Sequence, residues 1–207
     1  MTPTQITTLL LVGQAFITFL IAVRAFFLYA RVRSDLLFIL AVSMSTIALV
    51  GLLGIIGDNY VTSFSTKWFR YTAQIVSYTF VFLCSVRSSE DYLRRVKQWQ
   101  LVFTVLLVGM LLLAPLLPQL ANSTLEAVVS SLRSVVSFII CLNYAVIFMQ
   151  KETRFSFLMA LAFMLITFGI WITTPWYFQQ TLVTYLYVGD SMRTVGLITL
   201  LLAFLFG

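Results

Sequence analysis

The sequence predicts an all-α, polytopic membrane protein: a bundle of seven membrane-spanning helices with the N-terminus outside and the C-terminus inside. Three observations carry that expectation. Of the 207 residues, 61% are hydrophobic and 10% are charged, against roughly 25% charged in soluble domains. Apolar runs of about 20 residues, the length that crosses a hydrocarbon core about 30 Å thick, recur along the whole chain. Positive charge gathers in every second connection, as it does on the inner side of membrane proteins.

The runs lie near residues 6–29, 36–57, 67–87, 99–119, 125–149, 155–174 and 182–206. The first follows MTPTQITT, which lacks the positive n-region of a cleaved signal, so it is expected to remain as a helix. The second carries Gly51, Gly54 and Gly57 with Ser43 and Ser45, small residues that allow close backbone approach. The third opens with Lys67 and Arg70, and the fourth, at about 99–119, follows the basic connection RSSEDYLRRVKQ. Before the fifth stands STLE (123–126), a capping box in which Ser123 and Glu126 close the first turn. The NST at 122–124 is read as part of that helix start and not as a glycosylation site. KETR precedes the sixth run and PWYFQQT the seventh, and no connection is long enough for a soluble domain. The chain is one membrane domain, 1–207.

The odd-numbered connections hold eight Lys or Arg (Arg31, Arg33, Arg87, Arg94, Arg95, Lys97, Lys151, Arg154) and the even-numbered ones hold Lys67 alone. That bias sets the orientation. It also accounts for the net charge of +6 without nucleic acid, because the basic residues form short clusters and not a binding face. Trp68, Trp99, Trp176 and Tyr177 fall at predicted helix ends, where aromatic belts sit.

A weak internal similarity links LLFILAVSMSTIALVG (36–51) to FSFLMALAFMLITFGI (155–170), with three identities in sixteen at a shift of 119. In both halves a short charged turn precedes this helix, and a third helix with an arginine follows (Arg70, Arg193). The same shift sets Gln14 opposite Arg133 and Arg24 opposite Asn143. These features suggest two parallel three-helix units, 1–87 and 119–207, joined by helix 4 and related by an axis along the membrane normal. Sugar transporters of the SWEET type share a 3+1+3 plan, and the resemblance is to the plan alone.

The residue inventory removes several chemistries. There is no histidine, hence no His-ligated haem or zinc and no His-based catalysis. All three lysines are placed in connections, so none can hold retinal in helix 7, and the chain resembles rhodopsins in helix count only. Of the carboxylates Asp190 alone lies well inside a span, which leaves no acid pair for hydrolysis or proton relay. Cys84 and Cys141 lack a CxxC spacing and act as small hydrophobes. Neither an enzyme nor a cofactor or metal is expected.

What remains are charges inside spans. Arg24 is near enough to the inner end of helix 1 to snorkel. Arg133 follows Thr124 by nine residues and Arg193 follows Thr181 by twelve, roughly 13 and 18 Å at 1.5 Å per residue. An arginine near the midplane costs about 2.5–3.5 kcal/mol even on a lenient scale, so these side chains should face protein or water. Asp190 and Arg193, at i and i+3, can pair on one helix face. Polar stripes continue these faces: Arg70, Gln74 and Ser77; Ser130, Arg133 or Ser134, and Ser137; Tyr185, Gly189, Arg193 and Gly196; Gln14 and Thr18.

Converging, these stripes would line an outward-facing basic cavity for a small anionic or polar ligand, with Gln14, Arg70, Gln74, Arg133, Tyr185, Asp190 and Arg193 as binding residues. A transporter- or channel-like protein would use such a cavity as its midplane site. The alternatives are a non-catalytic membrane subunit, whose polar strips only bond helix to helix, and a seven-helix receptor or sensor. The expected partners are membrane lipids, a small anion, and proteins docking on the inner basic loops.

Overall fold

The computed structural model describes residues 3–59, 65–87, 89–117, 123–179 and 181–206. Among them eight α-helices follow in order: α1 (Pro3–Val32), α2 (Asp35–Asn59), α3 (Lys67–Val86), α4 (Glu90–Leu112), α5 (Ser123–Lys151), α6 (Arg154–Ile172), α7 (Thr174–Phe178) and α8 (Val183–Phe206), with a 3-10 turn at Ala114–Leu116. Six stretches are long and apolar enough to cross a membrane: α1, α2, α4, α5, α6 running on into α7, and α8. The 20-residue α3 is not among them, because Lys67, Arg70 and Gln74 occupy its first turns.

The helices close a ring. α1 packs on α2, α2 on α3, α3 on α5, α5 on α6, α6 on α8, and α8 returns to α1, while α4 lies outside against α2 and α3. The outward surface is apolar: Leu9, Phe16, Val105, Leu106, Val135 and Trp171 are each more than half exposed, an arrangement suited to lipid and not to water. Length, apolarity and outward surface together place the chain among helical membrane proteins.

Where lipid surrounds the helices, apolar burial no longer drives their association, and close packing of small residues takes over. The α6–α8 crossing shows this. A Cβ on Gly169 would lie 2.6 Å from the Gly189 carbonyl oxygen, one on Gly189 would lie 2.5 Å from the Gly169 oxygen, and one on Gly196 would meet the Ala162 oxygen at 2.9 Å. On the other side of the ring a Cβ on Gly51 would stand 2.8 Å from that of Ala15, which lets α1 and α2 touch. Gly189 and Gly196, expected on a polar stripe, are thus packing residues facing α6.

The α1–α2 and α5–α6 corners are built alike. Among the described residues, Arg33 (φ 57°) and Glu152 (φ 49°) are the non-glycine residues with positive φ, a left-handed conformation that costs roughly 1–2 kcal/mol and turns the chain sharply at a helix C-terminus. Arg33 N–H donates to Tyr29 O at 2.7 Å and Glu152 N–H to Phe148 O at 2.7 Å. The next helices open with Phe38 N–H on Ser34 O and Phe157 N–H on Thr153 O. Each of these residues stands 119 positions from its counterpart.

Helix 4 is displaced from its expected position. It begins at Glu90 and ends at Leu112, so most of the basic connection is helix. Leu93, Val96 and Gln100 recur at three- and four-residue spacing and are buried, while Arg94 and Arg95 on the opposite face are exposed. Glu90 and Asp91 occupy the first turn, where carboxylates complement the helix dipole. Leu112 ends it because Pro115 has no N–H to continue the ladder and disfavours helical backbone before it. The expected end at 119 lies outside the described residues.

Candidate functional site

Within the ring, one half is packed and the other is hollow. Towards the end that carries the eight basic residues, Ile21, Leu40, Met44, Val81, Ile140 and Phe163 are buried in a single cluster. Towards the opposite end opens a cavity of about 500 Å³. Its wall comes from the first halves of α1, α3, α5 and α8, the second halves of α2 and α6, and the short α7. Ile47, Tyr78, Ile166 and Leu197 stand deepest, next to the packed half.

Six of the seven residues expected at a site line this cavity: Gln14, Arg70, Gln74, Arg133, Asp190 and Arg193. On α8 the cavity face runs Leu186, Asp190, Arg193, Leu197, the four-three-four spacing of one helical stripe. Tyr185 is one residue, about 100°, off that stripe; it is 44% exposed on the outside of the ring and is not brought to the cavity.

Asp190 and Arg193 pair as their spacing suggests, Arg193 Nη1 donating to Asp190 Oδ1 at 2.8 Å. The pair is set in place from α1: Gln14 Nε2 donates to the Asp190 carbonyl oxygen at 3.1 Å and to Thr194 Oγ1 at 3.2 Å. Thr18 Oγ1 in turn donates to the Gln14 carbonyl at 2.8 Å.

Arg133 stands across the cavity, ten residues into α5 as Arg193 is ten into α8, so the two lie at about the same depth. It is 6% exposed. Its Nη1 donates to Gln74 Oε1, its Nη2 donates to Ser130 Oγ at 2.7 Å, and its Cζ lies 4.8 Å from the centre of the Tyr71 ring. Its Nε is buried without a hydrogen-bond partner. Among the described residues no carboxylate pairs with this guanidinium. Arg70 lies nearer the rim against Gly54, where a Cβ would come within 2.9 Å of Arg70 Nη2. The glycine therefore makes room for the guanidinium.

The rest of the polar stripes bond helix to helix. Ser134 Oγ donates to Thr167 O, and Thr167 Oγ1 lies 3.0 Å from Ser137 Oγ, fastening α5 to α6. Ser77 is buried.

The sequence reading missed the cavity's aromatic wall and its rim. Tyr71, Tyr78, Trp176 and Tyr177 all line it; the last two, expected in an aromatic belt, are folded inward by α7, whose Pro175 fits a helix first turn. Pro175 just before two aromatics was the one visible hint. Lys67 and Glu126 form an ion pair at the rim, so the carboxylate read as half of a capping box reaches a different helix.

The fold and cavity define a class: a helical membrane protein with a basic, partly aromatic cavity in one half of a six-helix ring. No protein-family model, no curated protein and no solved structure matches the chain.

Proposed function

We propose that the protein crosses the membrane seven times with its N-terminus outside, and that it is a transporter-like protein whose cavity binds a small anion from the outer side. The observation that carries this reading is Arg133, a buried guanidinium on the cavity wall whose partners, Gln74 and Ser130, are both neutral. A buried charge without a counter-charge is costly. An anion arriving from outside would supply one, together with charge-assisted hydrogen bonds.

Seven crossings require α3 to span as well. Its place between α2 and α5 in the ring turns its polar side to the cavity and shields it from lipid, so it does not need the apolarity of its neighbours. The basic clusters then fall on the inner side and the cavity opens outward.

Transport is supported by the relation between the halves. In each unit the second helix packs between the first and third, and the units meet head to tail through α1–α8 and α3–α5. Both contacts are bridged by side chains at the cavity: α1–α8 by Gln14 to Asp190 and Thr194, and α3–α5 by Arg133 to Gln74 and by Lys67 to Glu126. Gln14 matches Arg133 and Gln74 matches Arg193 at the shift of 119. Two parallel units that meet through corresponding helices around a half-depth cavity, closed on one side, can alternate by rocking. A receptor would use the same closed state.

Solute exchange in liposomes tests the reading. Preloaded vesicles carrying the protein should accumulate at least one of labelled phosphate, lactate and benzenesulfonate above protein-free vesicles. Binding without exchange would favour the receptor, and neither binding nor exchange would leave the membrane subunit.

A further inference from the structure

The cavity's chemistry narrows the ligand, and the narrowing rests on the anion-binding reading above. Two of the wall's cations already hold a carboxylate each: Lys67 holds Glu126 and Arg193 holds Asp190. Among the described residues Arg133 is the buried cation whose hydrogen-bond partners are neutral, and its Nε is buried with no partner. One such guanidinium suits a single anionic group, presented flat so that a carboxylate can take two of its N–H groups side by side.

The space is too large for an inorganic ion. A cavity of about 500 Å³ lies in the range that holds an organic molecule. Around Arg133 the wall is aromatic, with Tyr71 under the guanidinium at 4.8 Å, Tyr78 and Tyr177 close to it, and Trp176 beside Tyr177 with ring centres 5.5 Å apart. Farther in, Ile47, Ile166 and Leu197 are apolar. A bare phosphate would leave these surfaces against water, whereas an apolar or aromatic body would cover them. We propose that the ligand is a small monocarboxylate with an apolar or aromatic body, its carboxylate on Arg133 and its body against Tyr71, Tyr177 and Trp176.

The test is thermal unfolding of the purified protein at pH 8 with four probes: benzoate, cyclohexanecarboxylate, the neutral isostere benzamide, and inorganic phosphate. The expected result is that both carboxylates raise the unfolding temperature, with apparent affinities about ten-fold or more above benzamide, the order of a charged hydrogen bond, and that phosphate does not. Trp176→Ala should weaken cyclohexanecarboxylate and benzoate alike, and Arg133→Gln should abolish the difference between benzoate and benzamide. If Arg133→Gln does not fold, the benzoate and benzamide comparison on the unaltered protein still decides. Equal stabilisation by benzamide overturns the proposal. Stabilisation by phosphate and not by the carboxylates also overturns it while leaving the anion cavity standing. No stabilisation by any anion ends both.

Discussion

Arg133 on α5 donates to the side-chain oxygen of Gln74 on α3, and this bond joins the two helices where the halves of the ring meet. The bond crosses 59 positions of sequence. It spends an arginine on an amide where a carboxylate would bind more strongly. A site that keeps its cation for a ligand has this form.

Gln74→Glu is therefore informative. A carboxylate at that position would neutralise Arg133 within the protein, so the variant should unfold at a higher temperature without added anion and bind anions about ten-fold or more weakly. An unchanged anion response would remove Arg133 from the site.

Asp190 and Arg193 are expected to behave as a buried pair, their side chains being 5% and 19% exposed. Asp190→Leu or Arg193→Met alone should cost about 3–5 kcal/mol, and the double change should recover most of the loss. Unfolding of all four proteins in one detergent measures the coupling. Additive losses would mean that the two charges are stabilised by other partners.

Two glycines separate packing from propensity. Gly189→Ala places a methyl group 2.4 Å from Thr173 Cγ2 and 2.5 Å from Gly169 O, an overpacking that should cost about 1–3 kcal/mol or more. Gly13→Ala meets nothing within 4 Å and should be neutral or stabilise by up to about 1 kcal/mol through helix propensity. Equal effects would mean that the α6–α8 crossing is looser than described.

Orientation can be read chemically. Gln98 and Gln179 are exposed at opposite ends of the ring. With the buried Cys84 and Cys141 replaced, a cysteine at Gln179 should react with an impermeant thiol reagent added outside, and one at Gln98 should react only after lysis. The reverse pattern would turn the protein over and put the cavity on the inner side.

Several features were legible along the chain because they depend on local order. Apolar runs of spanning length show as composition, and Asp190 with Arg193 shows because a helix sets residues three apart on one side. The polar stripes of α1, α3 and α5 were visible for the same reason, as was the need to keep Arg133 and Arg193 from lipid. The start of α4 was hidden because its charged first turns resemble a loop in composition, and only burial of Leu93 and Val96 against α2 and α3 distinguishes them. Tyr185 was misplaced because two adjacent stripes on α8 are both plausible until neighbours are known.

By itself, then, the sequence determined the solvent of this protein, the extent of most of its helices and which side chains had to be hidden from lipid, since each follows from transfer energies and helical period. Tertiary structure alone decided what those side chains meet. Gln74 reaches Arg133, Gln14 reaches Asp190 and Lys67 reaches Glu126 because the ring closes α3 on α5 and α8 on α1. That closure depends on backbones brought into contact at Gly51, Gly169 and Gly189, a matter of fit between surfaces distant in sequence, which no local periodicity encodes.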